Sequence, residues 1–239
     1  MAPMLNIVGK DFERAKKLLE FGKVNYEVPK IEANQKIVSS GFNKDNFIYV
    51  PEIKLYVAKE RTLQNKNWFE AHKELQENGE RMLIIPEFVE FLKYLKSSNN
   101  QEYLEIYKDI TEVKSLWRAE WLDADFKTKG KDWYINYNHK IDENKSLVPQ
   151  NSEIFDKNIL MKGKTLGISL ESWLENPTKQ GLPSKKTSSG NLSYWNPKRD
   201  NNSVARFDAG GGRAYLRCGG SPSNGYSDLG VCAVREEKQ

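Results

Sequence analysis

Cysteine and histidine are nearly missing from this chain, whose 239 residues hold two of each: Cys218, Cys232, His72 and His139. Two thiols are too few for a disulfide scaffold, and with His72 and His139 far apart in sequence they are too few for a Cys/His metal cage. A single Cys218–Cys232 bridge stays open, although two unpaired thiols suit a chain kept in a reducing compartment better. No apolar run approaches the ~20 residues that cross a bilayer, and Met1 to Lys10 lacks the basic and then apolar order of a secretory signal. These absences set the expectation of a protein made in the cytoplasm, with no membrane span and no cofactor, and with surface display by another route left open.

An excess of one charge is missing too. The 37 basic and 33 acidic residues leave a formal +4 and are interleaved almost everywhere, as on a solvated surface rather than a phosphate-binding stripe. Nucleic acid is therefore not an expected partner. What is present is the material of a core: 38% hydrophobic residues, 11% aromatic, and six Trp, under a strongly polar exterior. The length suits one sizeable domain with an extension.

Residues 1–45 carry one amphipathic pattern, Phe12, Ala15, Leu18 and Leu19, and then a polar stretch, which reads as an extension with a short helix. From Asn46 the texture changes to Phe47-Ile48-Tyr49-Val50-Pro51 and on to Ile53, Leu55 and Val57, the alternation of a strand bent at its Pro. Asn67 is placed to cap a helix with Trp68, Ala71, His72 and Leu75 on one face, closing at Asn78-Gly79. Met82 to Ile85 reads as a strand. Pro86 then opens a second helix carrying Phe88, Phe91, Leu92 and Leu95. Residues 101–116 and 169–174 are shorter helix candidates. Strands are expected at Trp117 to Phe126, Trp133 to Asn138, Leu192 to Trp195, Val204 to Phe207, Ala214 to Cys218 and Leu229 to Val234. Helices grouped early and a loop-rich tail of short strands point to an α+β fold.

The tail carries the strongest signal. Residues 208–232 hold seven of the 16 glycines and not one Lys, Glu, Gln, Trp or Met, although Lys and Glu build the solvated faces elsewhere. Within it, Arg213-Ala214-Tyr215-Leu216-Arg217-Cys218 has strand periodicity, which puts Arg213, Tyr215 and Arg217 on one face and Ala214, Leu216 and Cys218 on the other. Tyr and Arg anchor interfaces through contact area and hydrogen-bonding tips, and Gly, Ser and Asn supply adaptable filler. The same glycines also suit ordinary tight turns.

At this point the sequence resembles a known family. Trp68-Phe69-Glu70-Ala71-His72-Lys73-Glu74-Leu75, Gly79 and the apolar run into Ile85 resemble the front half of a C-type lectin-like domain. Val204 to Ala209, Arg213 to Cys218, Pro222-Ser223 and Leu229 to Arg235 resemble the variable proteins diversified by diversity-generating retroelements, in prokaryotic or viral settings. The resemblance implies a C-type lectin-like fold over 46–239 with two helices, short antiparallel strands and long irregular loops. It also implies a variable region over about 208–232, because the adenine-directed copying used in that family reaches Gly, Asp, Ser, Tyr, Arg and Cys but not the five absent residues. The ligand-binding positions it implies are Asp208, Gly210, Gly211, Gly212, Arg213, Tyr215, Arg217, Gly219, Gly220, Gly225 and Tyr226, with Asp228 and Cys232 beside them. Ala214, Leu216, Pro222, Leu229, Gly230 and Val231 would be fixed scaffold. The implied function is binding of a varied partner, a protein or cell-surface molecule, without catalysis.

Two other functions attach to the same resemblance. Formylglycine-generating oxidases share the carboxy end around Tyr215 to Cys218, but they hold copper between two thiols, and Arg213 stands where the first thiol belongs. Calcium-dependent sugar binding would draw on Asn196-Pro197 or Asp200-Asn201-Asn202, which lack the Glu-Pro-Asn or Gln-Pro-Asp triplet of sugar-binding members. Gly210 to Arg213 is not followed by the Gly-Lys-Ser/Thr of a phosphate cradle. Asp123 and Asp125 alternate on one expected strand and are read as an exposed face, and His72 as a packed core residue rather than a catalytic base.

Overall fold

The structure is a computed structural model, and it describes residues 42–113, 117–161, 164–210 and 212–236, with backbone alone for 164–166. The helix expected before residue 41 lies outside the described residues, as does Gly211. The alternation from Phe47 produces two strands, β1 (Phe47–Val50) and β2 (Leu55–Ala58), paired antiparallel with Phe47 opposite Ala58. Pro51 sits in the turn between them, where its missing N–H costs no ladder bond. Helix α1 (Trp68–Glu77) starts where the sequence places it: the Asn67 side chain accepts from the Glu70 N–H while the Glu70 carboxylate accepts from the Asn67 N–H, both at 3.0 Å. Its buried residues are the expected Trp68, Ala71, His72 and Leu75.

The strand expected over 82–85 is cut to β3 (Arg81–Met82). Glu87 is the cause: it takes two 2.7 Å hydrogen bonds from Arg81 and one of 3.1 Å from the Ile84 N–H. That cap, with Pro86 in the first turn, starts helix α2 (Ile85–Ser97) early. Helix α3 (Gln101–Thr111) and the short α4 (Leu170–Glu175) follow, so the described residues hold four helices rather than two. The closing strand β12 (Ala233–Glu236) pairs with β2 and β3, giving a small sheet of order β1-β2-β12-β3.

The larger sheet runs β6 (Leu147–Ile154), β5 (Asp132–Ile141), β4 (Arg118–Lys129), β9 (Ser203–Gly210), β10 (Arg213–Gly220), β8 (Leu192–Trp195), β7 (Lys164–Ile168), with β11 (Leu229–Gly230) beside β4. Its ladders are antiparallel except β10 on β8 and β11 on β4, two parallel seams that the sequence did not signal. Sequence reading also missed β6 and β7. Strand β6 is a largely exposed edge strand carrying Pro149, so it has no buried face to impose alternation.

Helix α2 lays Phe88, Phe91, Leu92 and Leu95 on one face of this sheet. Phe207 meets Phe88 at 5.3 Å between ring centroids and stacks on Trp173 at 6.2 Å. A second cluster, Trp68, Ala71 and Leu75 with Trp121, Val204, Leu229 and Val231, covers the opposite face near β4. Strand β4 is consequently buried on both sides from Ala119 to Phe126. The architecture is mixed α+β.

Glycines in the left-handed region separate backbone strain from crowding. Gly181 has φ +75°, and a Cβ there would lie 2.6 Å from the Pro86 nitrogen and 2.7 Å from the Ile85 carbonyl carbon. Gly212 has φ +95° and open space around it. Gly212→Ala is expected to cost about 1–2 kcal/mol from backbone conformation alone, and Gly181→Ala a further 1–3 kcal/mol or so from overpacking. Urea melts of the two variants check this, and equal losses would contradict the packing described.

Candidate functional site

Strand β10 delivers the alternation read from its sequence: Ala214, Leu216 and Cys218 are buried, while Arg213 is exposed and Tyr215 and Arg217 are half-buried. Residues paired across a sheet share a face. Tyr215 is opposite Asp208 of β9 and Ser193 of β8, and Arg217 is opposite Arg206 and Trp195, so all of these share the sheet face turned away from Leu216, where Ser193, Arg206 and Asp208 are buried beneath their neighbours. The Arg217 guanidinium lies 3.9 Å from the Trp195 ring centre and 4.5 Å from that of Tyr215. Arg206 sits 5.6 Å from Trp117 and 6.0 Å from Tyr226, whose rings are themselves 6.0 Å apart. Asp208 joins the two halves, 3.0 Å from Arg206 Nε and ion-paired with Arg217 Nε. The result is a ladder of stacked cations and aromatic rings held by one carboxylate.

Two expectations need correction. Asp208 is fully buried beneath the row, not an exposed contact position. Burial pushes its carboxyl up from the ordinary aspartate range, against the pull of Arg206 and Arg217. Several glycines of the segment are also closed to side chains. A Cβ on Gly210 would fall 2.0 Å from Trp117 Cδ1, one on Gly225 2.7 Å from the Asn65 carbonyl, and one on Gly220 3.1 Å from the Val204 carbonyl. Gly219 is tight, at 3.3 Å from the Asn196 carbonyl, whereas Gly212 is open. Cys232 is buried as well. Among the implied positions with described surroundings, room exists at Gly212, Arg213, Tyr215, Arg217 and Tyr226, the last of which is 42% exposed.

The loop that carries Tyr226 is tied down rather than free. Its backbone bonds to the segment before α1 through Asn65 N to Tyr226 O at 3.1 Å and Trp68 N to Pro222 O at 3.0 Å. Thr62 and Val231 exchange two bonds of 2.9 Å. A contact surface on this loop therefore has a fixed backbone, which lowers the ordering cost of binding.

A second constellation was missed. Asp123 and Asp125 are buried, not an exposed strand face, and His72 and His139, distant in sequence, meet over them. His139 Nδ1 lies 2.5 Å from Asp123 Oδ1, and its backbone N–H donates to Asp123 Oδ2 at 3.0 Å. Its Nε2 is 3.5 Å from Asp125 Oδ1. His72 Nε2 is 3.6 Å from Asp123 Oδ1, and neither of its ring nitrogens is hydrogen-bonded among the described residues. Burial opposes charge on both rings. For His139 the bonds to Asp123 and Asp125 outweigh it, raising the pKa to about 9, while burial lowers that of His72 to about 4.

The other candidate chemistries find less. Cys218 and Cys232 are unpaired and buried, and burial pushes both thiols up, away from the thiolate that binds metal. Asp200 Oδ1 already accepts from Asn202 N at 3.0 Å and the Ser203 hydroxyl at 2.8 Å, so its loop is held by its own bonds. No family model, no curated protein and no solved structure matches this chain.

Two stability tests follow from the burial pattern. Arg213→Ala is expected to change stability by less than ~0.5 kcal/mol, whereas Gly225→Ser must displace the Asn65 carbonyl and costs about 1–3 kcal/mol; chemical melts rank the pair. Because the folded pKa of Asp208 is raised, proton uptake there favours the folded state at low pH, and that contribution is lost as pH rises through the folded value. Asp208→Asn removes the titration, so the stability of the natural chain relative to this variant should fall with rising pH. Melts across the acid range that show a difference growing with pH would contradict the burial of Asp208.

Proposed function

We propose that this chain is a ligand-binding protein of the diversity-generating retroelement type, with a C-type lectin-like domain that presents Arg213, Tyr215 and Arg217 of β10 and the Tyr226 loop as its variable contact surface. The observation that carries the reading is the coincidence of two independent patterns. Residues 208–232 lack the five residue types that adenine-directed copying cannot reach, and within them β10 keeps Ala214, Leu216 and Cys218 in the core while turning Arg213, Tyr215 and Arg217 outward. Selection for a core explains the first set, and variation explains the second.

Scaffold physics makes such a surface workable. The exposed Arg213 contributes little to folding and can change while α2 and Phe207 keep the backbone in place, whereas replacing Arg217 takes one partner from the buried Asp208. Amphipathic helices α1 and α2 ahead of a largely antiparallel sheet, and the irregular connection between α4 and β8, support the lectin-like reading of the fold. Variation is freest at Arg213, Tyr215 and Tyr226; Gly212 has open space but a left-handed backbone that strains any side chain, Arg217 is tied to Asp208, and at Gly210 and Gly225 a side chain needs Trp117 or the Asn65 segment to move. The partner is a protein or cell-surface molecule met by Arg, Tyr and Trp side chains, which are the usual anchors of such contacts. An oxidase role is disfavoured by Arg213 and by the buried, high-pKa Cys218 thiol.

The DNA beside the gene tests the reading most directly. A reverse transcriptase and a near-copy of the segment encoding about 208–232, differing only at adenines, are expected there; a locus without both overturns it. In a library varied at the five open positions, clones selected for a protein ligand should lose binding at least 10-fold on truncation of residue 215 together with residue 217 to Ala. Unchanged affinity would move the contact surface elsewhere.

A further inference from the structure

We propose that His72, Asp123 and His139 form a site for one divalent transition-metal ion of the Zn2+ or Co2+ class, which pins helix α1 to strands β4 and β5. The three side chains come from three elements, and their ligand atoms all lie within 4.8 Å of one another. Two imidazoles and one carboxylate suit borderline ions, whereas Ca2+ and Mg2+ call for all-oxygen sites. Tetrahedral coordination at bonds of about 2.0–2.1 Å needs neighbouring ligand atoms roughly 3.3 Å apart. His72 Nε2 is near that spacing from Asp123 Oδ1, at 3.6 Å. The 2.5 Å His139–Asp123 contact must open by about an ångström.

His72 supplies the second, independent observation. It is wholly buried, edge-on to Trp68 at 4.3 Å between centroids, and has no hydrogen bond on either ring nitrogen among the described residues. An aromatic residue would fill the same space without leaving polar atoms unmatched. A metal at Nε2 gives one of them a partner. The outer contacts fit too: with the ion on His139 Nδ1, its Nε2–H faces Asp125 Oδ1 at 3.5 Å, and Lys127 holds the other oxygen of Asp125 at 2.9 Å. A carboxylate behind a ligating histidine fixes its ring and strengthens it as a donor. Of the three ligands only His139 lines a cleft, of about 920 Å³, so its ring is the side of the site nearest solvent. This inference does not depend on the variable surface.

Metal analysis of the purified chain, followed by chelator stripping and calorimetric titration with Zn2+, tests the site. One ion per chain is expected, with a melting temperature several degrees higher when loaded and visible ligand-field bands when Co2+ is used instead. His72→Phe should keep the far-ultraviolet circular dichroism of the natural chain and lose the Zn2+-dependent rise in melting temperature. Asp125→Asn should weaken binding roughly 10- to 100-fold. A stripped natural chain that binds neither ion stoichiometrically, or a His72→Phe variant that folds and still shows the full Zn2+ response, overturns the proposal.

Discussion

Neighbouring residues of a strand cannot share a face, and on β10 that constraint couples the packed side to the side turned towards solvent. Leu216 is held because Phe207, Tyr194 and the aromatic face of α2 leave it nowhere else to go. Once it is seated, Tyr215 and Arg217 are committed to the other side. A slip of one register position would drive two guanidinium-bearing side chains into that aromatic core, at a desolvation cost no local contact could offset. The chemistry of the surface is thus a by-product of how tightly the opposite face is packed.

Beneath the outward row, Asp208 sets a second constraint. It is buried between two guanidiniums that are themselves stacked on aromatic rings, so it organises Arg206 and Arg217 rather than offering itself to a ligand. A row ordered in this way keeps little rotamer freedom. The tied backbone of the Tyr226 loop acts in the same direction.

The parts legible in the sequence are those governed by local rules. Asn67 announces the start of α1, and β10 announces its two faces through alternation. Asp123 and Asp125 show the limit of such rules: their spacing places them on one face, but only the docking of α1 decides that this face is covered. His72 and His139 were separated for the same reason, since helix and strand meet through tertiary packing and not through spacing. Glycine is ambiguous in another way. Composition marks Gly210, Gly212 and Gly225 alike, whereas the space beyond each Cα ranges from an indole ring to open solvent. The polar edge strand β6 carries no buried pattern to read, and the early start of α2 depends on Arg81 reaching across to Glu87.

The small sheet brings the entry and exit of the described domain together. Strands β2 and β12 are direct neighbours, Phe42 and Glu236 line one cleft, and the Arg235 guanidinium rests 5.1 Å from the Phe42 ring centre. A chain that enters and leaves at adjacent points can be spliced into a surface loop of an unrelated host with short joints and no gap to bridge.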